Sequence, residues 1–194
     1  MQKQLLTSLK TIRPLAGNEL LNIVDYFLCL SPEDDARMGT DRENLPSREQ
    51  WLQMLIADTQ KPLQERHYYY LGLFLDNAPI GHVGINKIDY ENEAYIHFHI
   101  WTPELRRQGL GSFYLKAAIE YYFEHFKLKK IICEPNVKNL ESNRTVLKNG
   151  FVFCSTYKTK PSILSLEHEV NRYELGVSNW VSCHRLHGSL DKED

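Results

Sequence analysis

The sequence predicts an α/β (α+β) chain, a mixed central sheet of about seven strands with helices on both faces. Three observations carry that reading. Strand-like and helix-like stretches follow one another in the order β-α-α-β-β-β-α-β-α-β-β. Glu93 to Trp101 alternates side chains with the period of a strand, whereas Leu115, Ala118, Ile119, Tyr122 and Phe126 keep helical spacing. Between these two segments stands Arg106-Arg107-Gln108-Gly109-Leu110-Gly111, a glycine turn opening a helix.

Each element has its own signal. A strand is expected within Leu5 to Leu15, closed by Pro14, and Asn18 is a plausible N-cap for a helix reaching Leu30. Ser31 to Asp35 reads as a polar break, and Ser47 caps a second helix carrying Trp51, Met54 and Leu55. His67 to Leu75 is aromatic and β-prone; after the turn Asp76-Asn77-Ala78-Pro79 a strand runs from Ile80 to Ile88. A turn at Asp89 to Asn92 leads into Glu93–Trp101, and the helix Gly111 to Phe126 follows the glycine turn. Lys129 to Glu134 reads as a short buried strand, then a helix from Asn139 to Asn149 ends at Gly150, which tolerates the left-handed conformation. Strands at Phe151–Thr159 and His168–Val177 complete a single domain spanning residues 1–177, and residues 178–194 form a polar, loosely held tail.

Composition narrows the function. A net charge of −2 over 194 residues gives no reason to expect nucleic acid or an anionic membrane as partner. Cys29, Cys133, Cys154 and Cys183 are scattered without a Cys-x-x-Cys pair, so neither a zinc knuckle nor a disulfide framework is indicated; Cys133 and Cys154 are expected as small buried strand residues. The apolar run Leu20–Leu30 is broken by Asn22 and Asp25 and is too short to span a bilayer, and no signal-peptide pattern opens the chain, so a soluble cytoplasmic protein is expected.

The glycine turn supplies successive N–H groups at a helix start, where the dipole attracts anions and the arginines add charge. A dinucleotide fold would want a third glycine and an acid about twenty positions on. A phosphate-binding P-loop would want Gly-Lys-Ser/Thr, but Gly111 is followed by Ser112-Phe113-Tyr114. Downstream lies Asn139-x-x-Ser142-x-Arg144-x-x-x-Lys148-x-Gly150-Phe151. This pair of motifs, in this order, resembles the acetyl-CoA-binding half of the GNAT N-acetyltransferase superfamily, over roughly Ala94 to Phe151. The Asn-x-x-Ser pattern is most similar to the ribosomal-protein-alanine N-acetyltransferase group.

The resemblance implies a mostly antiparallel sheet whose two central strands splay apart around acetyl-CoA, with Pro135, which cannot donate to a ladder, at the parting point. It implies that Arg106, Arg107, Gln108, Gly109, Leu110, Gly111 and Ser112 hold the pyrophosphate. It further implies that His99, Ile100 and Trp101 pair with the pantetheine arm, and that Asn139 and Ser142 lie beside it. Metal is not called for: His97 and His99 share a strand face, but no third ligand is evident.

Acyl transfer also needs a base. Tyr95, His97, His99 and Trp101 lie on one strand face and Ala94, Ile96, Phe98 and Ile100 on the other. His97 is one candidate, in a register similar to mycobactin-type lysine N-acyltransferases. Glu134 is the other, because Glu134-Pro135 followed by Asn139 resembles the Asp-Pro…Asn arrangement of aminoglycoside N-acetyltransferases. Many relatives protonate the leaving thiolate from a tyrosine where this chain has Val146; Ser142 is the candidate donor here. Tyr68-Tyr69-Tyr70 and Glu33-Asp34-Asp35 are possible walls of an acceptor cleft. The expected activity is acetyl transfer from acetyl-CoA to a primary amine, a protein N-terminus or a small molecule. Alternatives are an aminoglycoside- or siderophore-type N-acyltransferase and a catalytically weak CoA-binding sensor, in a monomer or homodimer.

Overall fold

The computed structural model of the chain describes residues 7–162 and 164–188, the side chains of 183–188 excepted. Seven strands form one sheet in the order β1-β2-β3-β4-β5-β7-β6: β1 (Lys10–Pro14), β2 (Tyr68–Leu75), β3 (Ala78–Asp89), β4 (Glu93–Ile100), β5 (Lys130–Cys133), β6 (Val152–Thr159) and β7 (His168–Gly176). The pair β4–β5 is parallel and every other neighbouring pair is antiparallel. Among the described residues six α-helices are formed: α1 (Leu21–Leu28), α2 (Pro32–Met38), α3 (Arg48–Thr59), α4 (Leu110–Phe126), α5 (Leu140–Lys148) and α6 (Val177–Gly188). This is the mixed, mostly antiparallel architecture with helices on both faces that the sequence predicts.

Strand alternation divides the core in two. Leu71, Leu73, Val83, Ile85 and Ala94 face α4, whose Tyr114, Leu115, Ala118, Ile119 and Tyr122 are wholly buried against them. Phe74, on the opposite face of β2, joins Leu20, Ile23, Val24, Trp51 and Leu55 beneath α1 and α3. At roughly 2 kcal/mol per buried large apolar side chain, these two layers supply the main drive that holds both helical sets to one sheet.

Four local expectations are corrected. Asn18 caps no helix: it lies inside a 3₁₀ turn (Gly17–Leu20) that runs into α1. Ser31–Asp35 is no break, because Ser31 Oγ accepts from Asp34 N–H at 3.1 Å, Pro32 fits the first turn, and three acids favour that helix end. Residues 178–188 are helical and Trp180 is buried near Phe123, so the chain after Gly176 continues the core; residues 189–194, and residues 1–6 at the other end, lie outside the described residues. Cys154 is exposed on edge strand β6, while Cys133 is buried as expected. Ser47 does cap α3, through a reciprocal capping box with Gln50.

Candidate active site

The site begins where two strands part. Parallel pairing of β4 with β5 stops at Tyr95↔Ile132. Beyond it the chain of β5 turns to β7: Pro135 O accepts from Asn171 N–H at 3.0 Å and Val137 N–H reaches Glu169 O at 3.1 Å. From Ile96 on, β4 therefore presents an open edge. Its polarity follows from the β3–β4 ladder: Trp101 N–H donates to Ile80 O at 2.9 Å, so odd-numbered residues of this segment turn their amides to β3. The amides of Phe98 and Ile100 point into the gap.

This corrects one expectation. The Trp101 amide is spent on β3, and its ring Nε1–H donates to His82 Nδ1 at 2.9 Å, so Trp101 packs with the core layer beneath α1 and α3. His99 has the same amide polarity, and its ring is what reaches the gap.

A groove of about 700 Å³ leads from this gap to the start of α4. Gly109, which lines this groove, is left-handed (φ 82°), and a Cβ placed on it would meet nothing within 4 Å. The first intrahelical bond, Phe113 N–H to Gly109 O at 3.1 Å, leaves the amides of Leu110, Gly111 and Ser112 without helical acceptors, in the geometry of an anion cradle. Leu110 contributes only its backbone, since its side chain is core. Ser112 Oγ accepts from Asn149 Nδ2 at 3.1 Å, tying α4 to α5.

The two arginines of the turn do different work from that expected. Arg106 is a clamp: its guanidinium donates to both oxygens of Asp34 at 3.0 Å and to Ile100 O at 3.0 Å. Burial alone would raise the Asp34 carboxyl, but hydrogen bonds from Arg106 and Arg37 outweigh that and hold it below the usual range. Asp34, the central acid of the Glu33-Asp34-Asp35 cluster, is thus engaged by Arg106 and Arg37. Arg107 (φ 60°) pairs across the groove with Glu141 on α5, and Gln108 Nε2 donates to Glu104 O. Cationic reach along the groove comes instead from Arg144 and Lys148 of α5.

Helix α5 is fixed by a buried amide network. Asn139 Oδ1 caps Ser142 N–H at 3.2 Å, and Asn143 Nδ2 donates to Asn139 O and Asn136 O. Asn143 Oδ1 accepts from Asn171 Nδ2 and the Tyr173 hydroxyl, both at 2.8 Å. With every partner satisfied, this network sets the width of the gap. Ser142 and Asn139 line both the groove and a 140 Å³ notch at the parting point.

Through that notch the groove reaches a third cavity of about 430 Å³, on the sheet face covered by α1 and α3. Cross-strand registry sets rows beneath it: Tyr70, Gly84 and His97; then Gly72, His82 and His99, of which Tyr70, His97 and His99 line the cavity. Gly84 makes room, because a Cβ there would lie 2.6 Å from His97 Nε2. Burial pushes His97 down to about 4 and holds His82 and His99 well below their ordinary value, so all three imidazoles are neutral at pH 7. Trp101 fixes the His82 proton on Nε2, which is buried with no partner.

The two base candidates differ in freedom. Glu134 Oε1 accepts from Tyr157 and from Arg172 Nη1 (3.0 Å), while Arg172 also holds Tyr95 and Glu174. Its carboxylate belongs to an ion-pair network with a side chain 5% exposed. His97 lines both the notch and the 430 Å³ cavity. Val146 is wholly buried, and among the described residues no group of three or more His, Cys, Asp or Glu is arranged to hold a metal ion. Nor is any described helix long and apolar enough to cross a membrane.

His82, Arg37 and Met38 escaped the sequence reading. His82 left one trace, a lone imidazole inside the apolar stretch Ile80–Ile88; the other two sit on the helix that the polar run concealed.

Known proteins share this plan. Residues 11–152 match the family described as Acetyltransferase (GNAT) domain. The ribosomal-protein-serine acetyltransferase of Escherichia coli (strain K12) is 27% identical over 124 residues, 60% of this chain and 69% of that protein. Spermidine N-acetyltransferase from Vibrio cholerae, solved with CoA and spermine, superposes with a TM-score of 0.73 at 18% identity, covering 89% of this chain and 98% of that one. Ribosomal-protein-S5-alanine acetyltransferase from Vibrio fischeri gives 0.69 at 16% identity over 90% and 98%. With the matched segment containing the turn, the parted strands and nearly all of the groove, the chain belongs to the GNAT acetyltransferase family.

Proposed function

We propose that this protein transfers the acetyl group of acetyl-CoA to a primary amine by direct attack, without a covalent acyl-enzyme. The observation that carries the reading is continuity: groove, notch and acceptor cavity meet end to end, and Met38 and His99 border all three.

The residues fit the co-substrate. The amides of residues 110–112 face a groove lined by Gly109, where a diphosphate would lie, with Arg144 and Lys148 alongside. The Phe98 and Ile100 amides offer donors to pantetheine and to the carbonyl oxygen on which charge develops. His97 stands on the acceptor side of the same gap, neutral and able to take the proton of the attacking ammonium. The nitrogen–carbon bond forms as the carbon–sulfur bond breaks; the second proton shed by the nitrogen passes through the Ser142 hydroxyl or water to the departing thiolate, so that Ser142 ends as a hydroxyl. Glu134, already bonded to Arg172 and Tyr157, positions this end of the cavity.

The test is release of CoA thiol with a panel of amines and N-terminal peptides, beside calorimetric titration of acetyl-CoA. Turnover that falls about 100-fold in His97→Gln, with acetyl-CoA affinity kept, supports the scheme. Binding without turnover on any amine makes the chain a CoA-binding sensor, and no binding at all overturns the reading.

A further inference from the structure

We propose that the acceptor is a small monoamine with an aromatic body, not a polyamine or an aminoglycoside. The inference rests on the acetyltransferase reading above and deepens it.

The acceptor cavity has the size of a small-molecule site, about 430 Å³. Its deep walls are aromatic: Phe27 and Trp51 stand with ring centroids 5.7 Å apart, and Tyr68 stacks on Tyr70 at 6.4 Å with an interplanar angle of 6°. Tyr70 in turn meets His97 edge-on at 5.8 Å. An aromatic ring entering here finds faces and edges on both sides, while its ammonium nitrogen extends to His97 at the notch.

Charge argues in the same direction. Among the described residues lining the cavity, Glu134 is the one carboxylate, and its Oε1 already accepts from Arg172 and Tyr157. Lys87 stands at the rim, its Nζ 4.5 Å from the Tyr95 ring centroid. A second or third ammonium would leave water, find only Glu134, whose charge is already shared with Arg172, and meet a lysine. Desolvating an unpaired cation is costly enough to select against polycations by about 100-fold or more. A single ammonium escapes this, because it reaches His97 and departs as a neutral amide.

The experiment compares kcat/KM for phenethylamine, spermidine, kanamycin and a peptide beginning with phenylalanine, with binding to the protein–CoA complex followed by tryptophan fluorescence. Phenethylamine is expected to exceed spermidine and kanamycin by about 100-fold and to quench Trp51 on binding. A second arm is Met54→Glu, at a cavity position 37% exposed on α3 that can accept a charge without unfolding. It is expected to raise spermidine turnover and lower that of phenethylamine. The inference is overturned if spermidine or kanamycin is the better substrate, if the peptide outpaces phenethylamine, or if phenethylamine neither binds nor reacts. Those outcomes leave the acetyltransferase reading standing whenever some amine releases thiol; that reading fails separately, when acetyl-CoA itself does not bind.

Discussion

The two sides of the gap between β4 and β5 are built on different principles. On one side, the α4 turn and the open β4 edge present backbone amides held in place by glycine and by a buried asparagine network. On the other, the acceptor cavity is a mosaic of side chains from α1, α3, β2, β3 and β4. Backbone recognition needs a fixed local conformation and tolerates change in most side chains. Side-chain recognition needs a particular tertiary assembly and is readily rewritten. The motifs legible in the sequence accordingly lie on the first side, and under the proposed function specificity would reside on the second.

Substitutions can break this contrast, beginning with the joint. Asp34→Ala removes the acid that binds Arg106 from across the two sides and strands a guanidinium 20% exposed. It is expected to cost about 3 kcal/mol and about 10 °C in melting temperature, measured by calorimetry. A change under 1 kcal/mol would mean that the clamp is incidental.

Gly109→Ala addresses the backbone side alone. A Cβ at φ 82° costs about 1–2 kcal/mol at a residue that lines the groove, so both stability and acetyl-CoA affinity should fall, leaving the affinity for an aromatic amine intact. Loss of amine binding instead would show that the two sides are not separable.

The smallest expected effect concerns protons. His97, at about 4 in the folded protein, and the more strongly lowered His82 and His99 take up protons on unfolding as pH falls below the ordinary histidine value. The unfolded state then binds more protons than the native state, so stability should decline as pH drops from 6.5 toward 4 and be flat above 6.5. Urea titrations should give this slope, and His97→Gln should make it shallower. A histidine slope of the opposite sign would place these rings in a more solvated setting than the one described.

The same contrast explains what the sequence reveals. The glycine turn, the Asn139 cap, the alternation of β4 and the breaker at Pro135 are local, and each is recovered where local rules put it. Arg106 looks like an anion ligand in one dimension because its partner, Asp34, is 72 residues away. Glu134 looks like a free base for the same reason: Tyr157 and Arg172 arrive from strands later in the chain. His82 shows in the sequence only as a lone imidazole in an apolar stretch, because antiparallel registry is what brings it beside His99. Helix α6 reads as a polar tail because its apolar content is sparse and its anchoring Trp180 gains meaning only against Phe123.

Amide hydrogen exchange with and without acetyl-CoA tests the central claim most directly. The account predicts slowed exchange at the open amides of Phe98 and Ile100 and through residues 110–112, with β6 unchanged. Unaltered exchange at those amides in the presence of saturating acetyl-CoA, or protection confined to other parts of the sheet, would contradict it.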